Sequence, residues 1–314
     1  MEFRTLGPGG PSVSLLGLGC NQFGGRCDFA ATRAVVEKAL DLGVTFFDTA
    51  DTYGNRGTSE EYLGRILGPH RREIVLATKF GMAMDDRGKL QGGSRRYVMS
   101  AVEASLKRLG TDHIDLYQLH RPDPATPIAE TLGALNDLVR QGKVRWIGCS
   151  AFSGAQLDEA AAAAARDTLA PFISCQNEYS LLMRGIEQDL APAMAAHGVG
   201  FLPYLPLAGG MLTGKYRQDA PMPADGRLAS QRWIADRVLT AKNWRLVAAL
   251  TRFAEARGKS LLELAMGFLA ARPFVTSIIA GATRPEQVEA NLRALSWRPS
   301  ETDMAELDRP PFTP

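Results

Sequence analysis

The sequence has few cysteines and histidines, and neither type is spaced as a metal site or a disulfide framework. None of the cysteines forms a CxxC pair, and the chain has four of them: Cys20, Cys27, Cys149 and Cys175. This usage is typical of reduced core thiols in a cytosolic protein. The histidines lack ligand spacing, and there are also four of them: His70, His113, His120 and His197. We therefore expect no metal ion and no redox role for the thiols.

Two further absences exclude classes of partner. The formal net charge is only +2 over 314 residues, and no long run of one sign occurs, so neither nucleic acid nor an anionic membrane is an expected partner. No apolar run approaches the ~20 residues of a membrane span. The first ten residues, MEFRTLGPGG, lack the apolar core of a signal peptide. These features predict a cytoplasmic protein, and they leave open whether it is a monomer or a homo-oligomer.

What the chain does contain is an alternation of short apolar runs and segments with apolar residues at helical spacing. The strand-length runs are 15–19, 44–47, 74–77, 114–119, 144–149, 172–176, 199–203 and 275–279. The helical segments include 30–42, 94–109, 128–139, 244–257 and 261–271, and one of the last two is extra to the repeat. Eight strands with intervening helices predict a (β/α)8 barrel, formed by residues 1–314 as one domain.

A doubly wound sheet is the other α/β architecture to consider. It requires a glycine-rich turn of defined spacing after the first strand and an acidic residue after the second. The glycines at 17, 19, 24 and 25 do not have that spacing. The barrel explains more of the chain, because polar residues are expected at several strand ends on its C-terminal rim.

Three consecutive apolar runs end in residues suited to acid–base chemistry. Asp48 and Tyr53 follow the second run, Lys79 the third and His120 the fourth. An ammonium favours the ionised form of a nearby phenol, so a Tyr–Lys pair makes a proton donor usable near neutral pH. Asp48 would hold Lys79 charged, and His120 would orient a substrate oxygen. Each residue alone has an ordinary structural explanation, but together they predict hydride delivery from a cofactor to a carbonyl.

The sequence resembles the aldo-keto reductases from GLGCNQFGG at 17–25 to ATRPEQVEAN at 282–291. The motifs that carry the resemblance include FDTADTYG (47–54), ATKFG (77–81), DLYQLHRPDP (115–124), GKVRWIGCS (142–150), QNEYSLL (176–182) and YLPLAGGMLTGKY (204–216). The resemblance implies a (β/α)8 TIM barrel with an N-terminal β-hairpin at residues 3–14 and extra helices or loops at the C-terminal rim. It also implies NADPH-dependent, reversible reduction of an aldehyde or ketone to the alcohol. The implied catalytic tetrad is Asp48, Tyr53, Lys79 and His120, with Tyr53 as the general acid.

The resemblance further implies a nicotinamide dinucleotide lying across the rim. Ser150 and Gln176 would bind the carboxamide, Tyr204 would stack on the nicotinamide ring, and residues 205–210 would fold over the pyrophosphate. A helix beginning near Thr283 would direct its amides at the adenosine phosphate. The complete set of implied cofactor contacts is Ser150, Gln176, Tyr204, Leu205, Leu207, Gly210, Lys215, Gly281, Thr283, Arg284, Gln287 and Asn291.

Two departures from the family pattern bear on the cofactor. Ala151 stands where many relatives carry an asparagine that also holds the carboxamide. Gly281 and Gln287 stand where some relatives grip a 2′-phosphate with basic residues, which leaves Arg284 as the obvious cation. NADP(H) is the expected cofactor, and NAD(H) is the alternative.

We expect the choice of substrate to depend on residues just after strand ends and on the loops 81–96 and 208–235. The expected pocket residues are Phe23, Phe80, Met82 and Trp233. Charged residues at 85–89 would make the rim polar, which suits a sugar or another polyhydroxylated carbonyl. No single compound is indicated.

Two other functions compete with reduction. Some members of this family serve as nicotinamide-binding regulatory subunits of membrane channels with slow residual reductase activity, although the short segment before the hairpin offers nothing to engage a channel. A Schiff-base lyase would use Lys79 as the nucleophile, but it needs a neutral lysine, which Asp48 would oppose.

Overall fold

The computed structural model describes residues 1–223 and 226–313 and contains the expected barrel. Its strands are β1 (Phe3–Thr5), β2 (Ser12–Ser14), β3 (Leu16–Gly19), β4 (Phe46–Asp48), β5 (Val75–Phe80), β6 (Ile114–Leu119), β7 (Val144–Ser150), β8 (Ser174–Gln176), β9 (Gly200–Phe201) and β10 (Ile278–Gly281). Its helices are α1 (Phe29–Asp41), α2 (Tyr53–Leu67), α3 (Arg95–Leu109), α4 (Ile128–Arg140), α5 (Gly154–Asp167), α6 (Leu190–His197), α7 (Arg227–Ser230), α8 (Arg232–Val238), α9 (Ala241–Glu255), α10 (Leu261–Ala271), α11 (Pro285–Ala294) and α12 (Glu301–Leu307). Short 3-10 helices occupy Gly68–Glu73, Gly185–Glu187 and Ala208–Thr213.

The strands β3 to β10 form one parallel sheet that closes on itself. They pair in chain order from β3 to β9, and β10 pairs with β3. The remaining gap is closed by parallel bridges from Phe201 to Val275 and from Tyr204 to Ile279. The amide of Thr276 donates to the carbonyl of Phe201 at 2.8 Å across this seam. The (β/α)8 prediction is therefore confirmed.

The N-terminal hairpin covers one end of the barrel. β1 and β2 pair in antiparallel register with Phe3 opposite Ser14. Leu6, at the hairpin turn, is fully buried in an apolar cluster with interior residues of the barrel such as Phe46 and Leu116. This cluster fills the N-terminal end of the barrel, and the opposite rim is the end at which a barrel of this kind binds its ligand.

Three strands extend further toward this rim than their apolar runs indicate. β4 includes Asp48, β5 continues through Lys79, and β10 continues to Gly281. Strand residues alternate between the barrel interior and the helix layer, so a polar residue facing the interior rim can belong to the strand itself. The apolar run therefore ends before the backbone pairing does.

The loop expected at 208–235 is partly helical. It contains the 3-10 helix Ala208–Thr213 and the helices α7 and α8, while residues 224 and 225 lie outside the described residues. Two long helices, α9 and α10, then precede β10, and α10 packs against both α9 and α11. The expectation of extra helices at this end of the chain is confirmed. Within the described ranges, no helix has the length and apolar character needed to cross a membrane.

Candidate active site

The four residues of the expected tetrad come from neighbouring strands and meet at the open rim. Asp48 is the last residue of β4, Lys79 lies in β5, and His120 directly follows β6. Tyr53 is the first residue of α2, on the connection that leaves β4. Since β4, β5 and β6 are adjacent in the sheet, their C-terminal ends bring these side chains together.

Lys79 is the centre of the group. Its Nζ atom donates to Asp48 Oδ2 at 2.6 Å and to the Thr49 carbonyl at 2.9 Å, and it lies 3.5 Å from the Tyr53 hydroxyl. The side chain is fully buried. Burial alone would lower the pKa of Lys79, but the neighbouring Asp48 carboxylate and Tyr53 raise it overall. Lys79 is therefore a charged ammonium near neutral pH.

The Tyr53 hydroxyl is subject to two opposing effects. Burial raises its pKa above the ordinary value, and the Lys79 ammonium acts in the opposite direction. The net effect is a raised pKa. Lys79 by itself lowers the pKa of Tyr53, as expected, but burial outweighs its influence. Tyr53 is consequently a protonated donor at neutral pH, which is the state that a general acid requires.

His120 stands on the other side of Tyr53. The two rings are 5.7 Å apart between centroids and meet edge to face at 81°. Burial, Lys79 and Arg121 together hold the pKa of His120 well below its usual value. The ring is therefore neutral at pH 7, and its Nδ1 atom is buried with no hydrogen-bond partner among the described residues. A neutral imidazole can donate one hydrogen bond to a substrate oxygen.

A strained turn fixes the position of Tyr53. The four residues after it have left-handed backbone angles, including Asn55 and Arg56, which carry side chains. A Cβ atom on Gly54 would lie 2.4 Å from the carbonyl oxygen of Phe23, so this position requires glycine. The sequence FDTADTYGN thus encodes both the reactive phenol and the turn that presents it.

Asp48 has two further partners that hold its second oxygen. Gln176 Nε2 donates to Asp48 Oδ1 at 2.9 Å, and Gln118 Nε2 donates to the same atom at 3.1 Å. Gln176 was expected as a cofactor contact, whereas Gln118 was not expected at all. Gln118 interrupts the apolar run of β6 with a polar side chain. That interruption is the sequence signal by which Gln118 could have been recognised as a site residue.

A buried carboxyl group lies behind Lys79. The amide of Asp51 donates to the Lys79 carbonyl at 3.1 Å. Both carboxyl oxygens of Asp51 are buried without a hydrogen-bond partner among the described residues. Burial, followed by the neighbouring Glu60, raises the pKa of Asp51 to about 8. Asp51 is therefore largely protonated at neutral pH.

Two adjoining cavities open on the rim. The first, of about 240 Å³, is lined by three members of the tetrad and by Ser150, Gln176 and Tyr204. The second, of about 340 Å³, lies against residues 205–215 and the N-terminal part of α11. Both are lined by Leu205, Pro206, Arg227 and Gly281. The two cavities therefore adjoin, and Arg227 lies where they meet.

All of the expected cofactor contacts lie on these two cavities. The first cavity is lined by Ser150, Gln176, Tyr204, Leu205 and Gly281. The second is lined by Leu205, Leu207, Gly210, Lys215, Gly281, Thr283, Arg284, Gln287 and Asn291. A nicotinamide dinucleotide carries its diphosphate between two larger ends, so two adjoining cavities with an arginine where they meet suit such a ligand.

Arg227 is a candidate cofactor contact that the sequence did not reveal. Its guanidinium donates to Gln231 at 2.8 Å and makes no ion pair within the described part of the chain. Burial lowers its pKa to about 10, so it remains charged at neutral pH. A mostly buried cation that has no ion pair with any described residue and lies where the two cavities meet suits the diphosphate of a dinucleotide.

At the adenosine end, the backbone differs from the expectation. α11 begins at Pro285 rather than near Thr283, and proline has no amide hydrogen. The Thr283 amide already donates to Gln287 Oε1 at 2.7 Å. The helix therefore offers fewer amides to a phosphate than expected. Binding of the phosphate would then depend more on the side chain of Arg284.

Ala151 occupies a left-handed backbone position. Its φ is 59°, and its amide donates to the Gln176 carbonyl at 3.0 Å. Asparagine tolerates this conformation better than alanine. The departure noted at Ala151 therefore removes an amide side chain from the first cavity and adds backbone strain there.

Of the four expected pocket residues, one lines the first cavity and three do not. Trp233 lines the first cavity and is 56% exposed. Phe23 and Phe80 are completely buried in the core, where Phe80 stacks on Tyr117 with centroids 4.7 Å apart. A residue at a strand end can face either the interior or the helix layer, and these two face away from the cavity. Met82 is half-buried and does not line the cavity.

The charged loop at 85–89 also lies away from the cavity. Asp86 pairs with Arg56, and Asp85 Oδ1 accepts hydrogen bonds from the amides of Lys89 and Leu90. None of these residues lines the first cavity. Among residues 1–223 and 226–313, no group of three histidine, cysteine, aspartate or glutamate side chains is arranged to hold a metal ion.

The chain is similar to known proteins over nearly its whole length. The model of the aldo/keto reductase family matches residues 15–310. A probable voltage-gated potassium channel subunit beta of Arabidopsis thaliana is 37% identical, over 98% of this chain and 95% of its own. The L-glyceraldehyde 3-phosphate reductase of Escherichia coli K12 is 34% identical, over 98% and 92% respectively. An uncharacterized oxidoreductase of Bacillus subtilis, YrpG, is 35% identical, over 94% and 91%. Because the family model matches nearly the whole length of the chain, the chain belongs to the aldo/keto reductase family.

Proposed function

We propose that the protein reduces an aldehyde or ketone to the alcohol, reversibly, with NADP(H) as its preferred cofactor. The observation that carries this proposal is the position of Lys79, whose Nζ atom joins Asp48 and Tyr53 beside an open cavity. A protonated phenol, a fixed ammonium and a neutral imidazole are the groups that carbonyl reduction requires. We further propose that the protein works in the cytoplasm, as a monomer or homo-oligomer.

In this reaction each member of the tetrad has a separate role. The neutral ring of His120 donates a hydrogen bond to the carbonyl oxygen and orients it. As negative charge develops on that oxygen, the Tyr53 hydroxyl transfers its proton to it. Lys79 stabilises the resulting phenolate, and Asp48 keeps Lys79 charged and in place. Solvent then restores the proton of Tyr53.

The cofactor, when bound, supplies the hydride for the carbonyl carbon. Ser150 and Gln176 would hold its carboxamide, and Tyr204 would lie against its nicotinamide ring. Arg227 and Lys215 would face the diphosphate. Arg284 would contact the 2′-phosphate, which is the reason for proposing NADP(H) ahead of NAD(H).

One other function has specific support, namely a nicotinamide-binding regulatory subunit of a membrane channel. Its support is the 37% identity to the Arabidopsis protein named as a probable voltage-gated potassium channel subunit beta. This alternative predicts slow turnover and recovery of the protein as a tetramer with a membrane partner. The Schiff-base lyase loses support, because Lys79 is charged and donates to Asp48.

A substrate panel separates these functions. Purified protein is mixed with aldehydes and ketones and with NADPH or NADH, and the absorbance of the reduced cofactor is followed. We expect multiple turnovers with at least one carbonyl class and a higher kcat/KM for NADPH. Turnover no faster than that of a Tyr53→Phe variant would reject the reductase, and trapping of substrate on Lys79 by borohydride would indicate a lyase.

A further inference from the structure

We propose that the carbonyl substrate is a small compound carrying an anionic group, a carboxylate or a phosphate, and that Arg121 binds this group at the mouth of the first cavity. The inference rests on the proposed reductase function, because it names the substrate class of the same site. It replaces the neutral, polyhydroxylated substrate suggested by the residues at 85–89, since those residues lie elsewhere.

The wall of the first cavity carries more positive than negative charge. The lining residues include one carboxylate, Asp48, and three guanidinium groups, those of Arg121, Arg227 and Arg237. Asp48 is already neutralised by Lys79 at 2.6 Å. The described wall therefore presents an excess of positive charge to whatever enters, and such a wall favours an anionic ligand.

The three arginines differ in their partners. Arg237 forms an ion pair with Glu178. Arg227 also lines the second cavity, where it faces the position proposed for the cofactor diphosphate. Arg121 makes neither a hydrogen bond nor an ion pair with any residue in the described ranges, and it is exposed at the cavity mouth. It is therefore the arginine left to meet a substrate anion.

The position of Arg121 is fixed by the sheet. It directly follows His120, whose amide donates to the Phe80 carbonyl at 2.8 Å and so continues the pairing of β5 with β6. Arg121 is also one of the positive charges, with Lys79, that hold down the pKa of His120. The charge of the Arg121 guanidinium therefore acts on the His120 ring, which would orient the carbonyl.

The remaining wall limits the size of the substrate. Trp233, on α8, also lines this cavity, and Arg237 lies over its ring at 5.9 Å. The cavity holds about 240 Å³, part of which the nicotinamide would fill. A small carbonyl compound can therefore reach His120 with one end and Arg121 with the other.

The test uses matched pairs of aldehydes that differ in one charge. The carboxylate pair is 4-carboxybenzaldehyde and its methyl ester, and the phosphate pair is glycolaldehyde phosphate and glycolaldehyde. We expect a higher kcat/KM for the charged member of at least one pair. In Arg121→Gln the charged-to-neutral ratio should fall by about ten- to a hundredfold, the usual effect of one charged hydrogen bond, and Arg121→Lys should retain part of it. An exposed arginine on α9 gives the control, since Arg252→Gln should keep the full ratio.

Equal or lower kcat/KM for the charged members in the wild type would overturn the proposal. An equal rise in the KM for NADPH with both members in Arg121→Gln would also overturn it, by assigning Arg121 to the cofactor. Calorimetric titration with 4-carboxybenzyl alcohol and its methyl ester measures the anion contact without turnover. If no aldehyde is reduced, the reductase proposal fails by itself. The anion site then stands only if the carboxylate binds more tightly than the ester and Arg121→Gln removes that difference.

Discussion

The Nζ atom of Lys79 lies 2.6 Å from Oδ2 of Asp48, and both side chains are buried at the rim of the barrel. Breaking a buried ion pair by removing one partner typically costs ~3–5 kcal/mol, because the other charge is left uncompensated. The same lysine lies 3.5 Å from the Tyr53 hydroxyl. One contact therefore serves both the stability of the rim and the proposed chemistry.

Replacing the lysine separates these two effects. Lys79→Met should lower the kcat of carbonyl reduction by at least about a hundredfold, the usual contribution of acid–base assistance, while NADPH affinity stays nearly unchanged. It should also destabilise the protein, because Asp48 loses its counter-ion. The double variant Asp48→Asn/Lys79→Met should recover part of the free energy of unfolding without recovering kcat. An equal loss of cofactor binding and turnover in Lys79→Met would argue against its role beside Tyr53.

The pH dependence should report Tyr53 as an acid. Burial raises the pKa of Tyr53 above its ordinary value despite Lys79, so the proton needed for reduction is present at neutral pH and is lost only as the pH rises through that raised pKa. The kcat/KM of reduction should therefore stay level through neutral pH and fall only on the alkaline side of the ordinary phenol pKa, ~10. Alcohol oxidation needs the phenolate and should rise over the same alkaline limb. A fall in reduction centred near neutral pH would contradict this assignment.

Arg227 allows a test of the joined cavities. Arg227→Gln should weaken NADPH binding by about ten- to a hundredfold, since one charge-assisted contact to the diphosphate is lost. The neighbouring Arg232 is a matched control, because its side chain is 92% exposed and lines neither cavity. Fluorescence titration of both variants with NADPH makes the comparison. Equal affinities for the two variants would show that Arg227 does not face the cofactor.

Asp51 should make stability depend on pH. Its pKa is raised to about 8 in the folded protein and is ~3.9 in an unfolded chain. Between these values the folded state binds more protons, so the Asp51 contribution to the free energy of unfolding falls as the pH rises from about 4 to about 8. The free energy of unfolding, measured with urea at several pH values, should depend less on pH in Asp51→Asn than in the wild type. Asp236→Asn, altered at a side chain that is 68% exposed, should keep the wild-type profile, and identical profiles for all three proteins would contradict the assignment.

The sequence predicts the barrel and the tetrad because both depend on periodic features. Apolar runs of strand length end at the rim, and the polar residue that follows each run marks its position, as Asp48 and His120 do. Gln118 was missed because its amide lies inside the run of β6. Phe80 was misplaced because hydrophobicity at a strand end does not indicate which face of the barrel the side chain meets. The backbone direction that decides this is set by pairing with neighbouring strands, which a single sequence does not display.

Arg227 was missed for a different reason. It follows a proline-rich segment in which several charged residues have the composition of a solvated loop. Only the packing of α7 against the rim makes it a buried cation between two cavities. Long connections carry functional residues whose positions depend on tertiary contacts rather than on local pattern.

The most direct test of the account is to follow the hydride and the proton together. The protein is supplied with NADPH deuterated at the transferable position of nicotinamide C4 and with an aldehyde, and the alcohol is examined by mass spectrometry. We expect one deuterium at the former carbonyl carbon of the wild-type product and a loss of most of the rate in Tyr53→Phe. An alcohol without deuterium, or equal rates for the wild type and Tyr53→Phe, would contradict it.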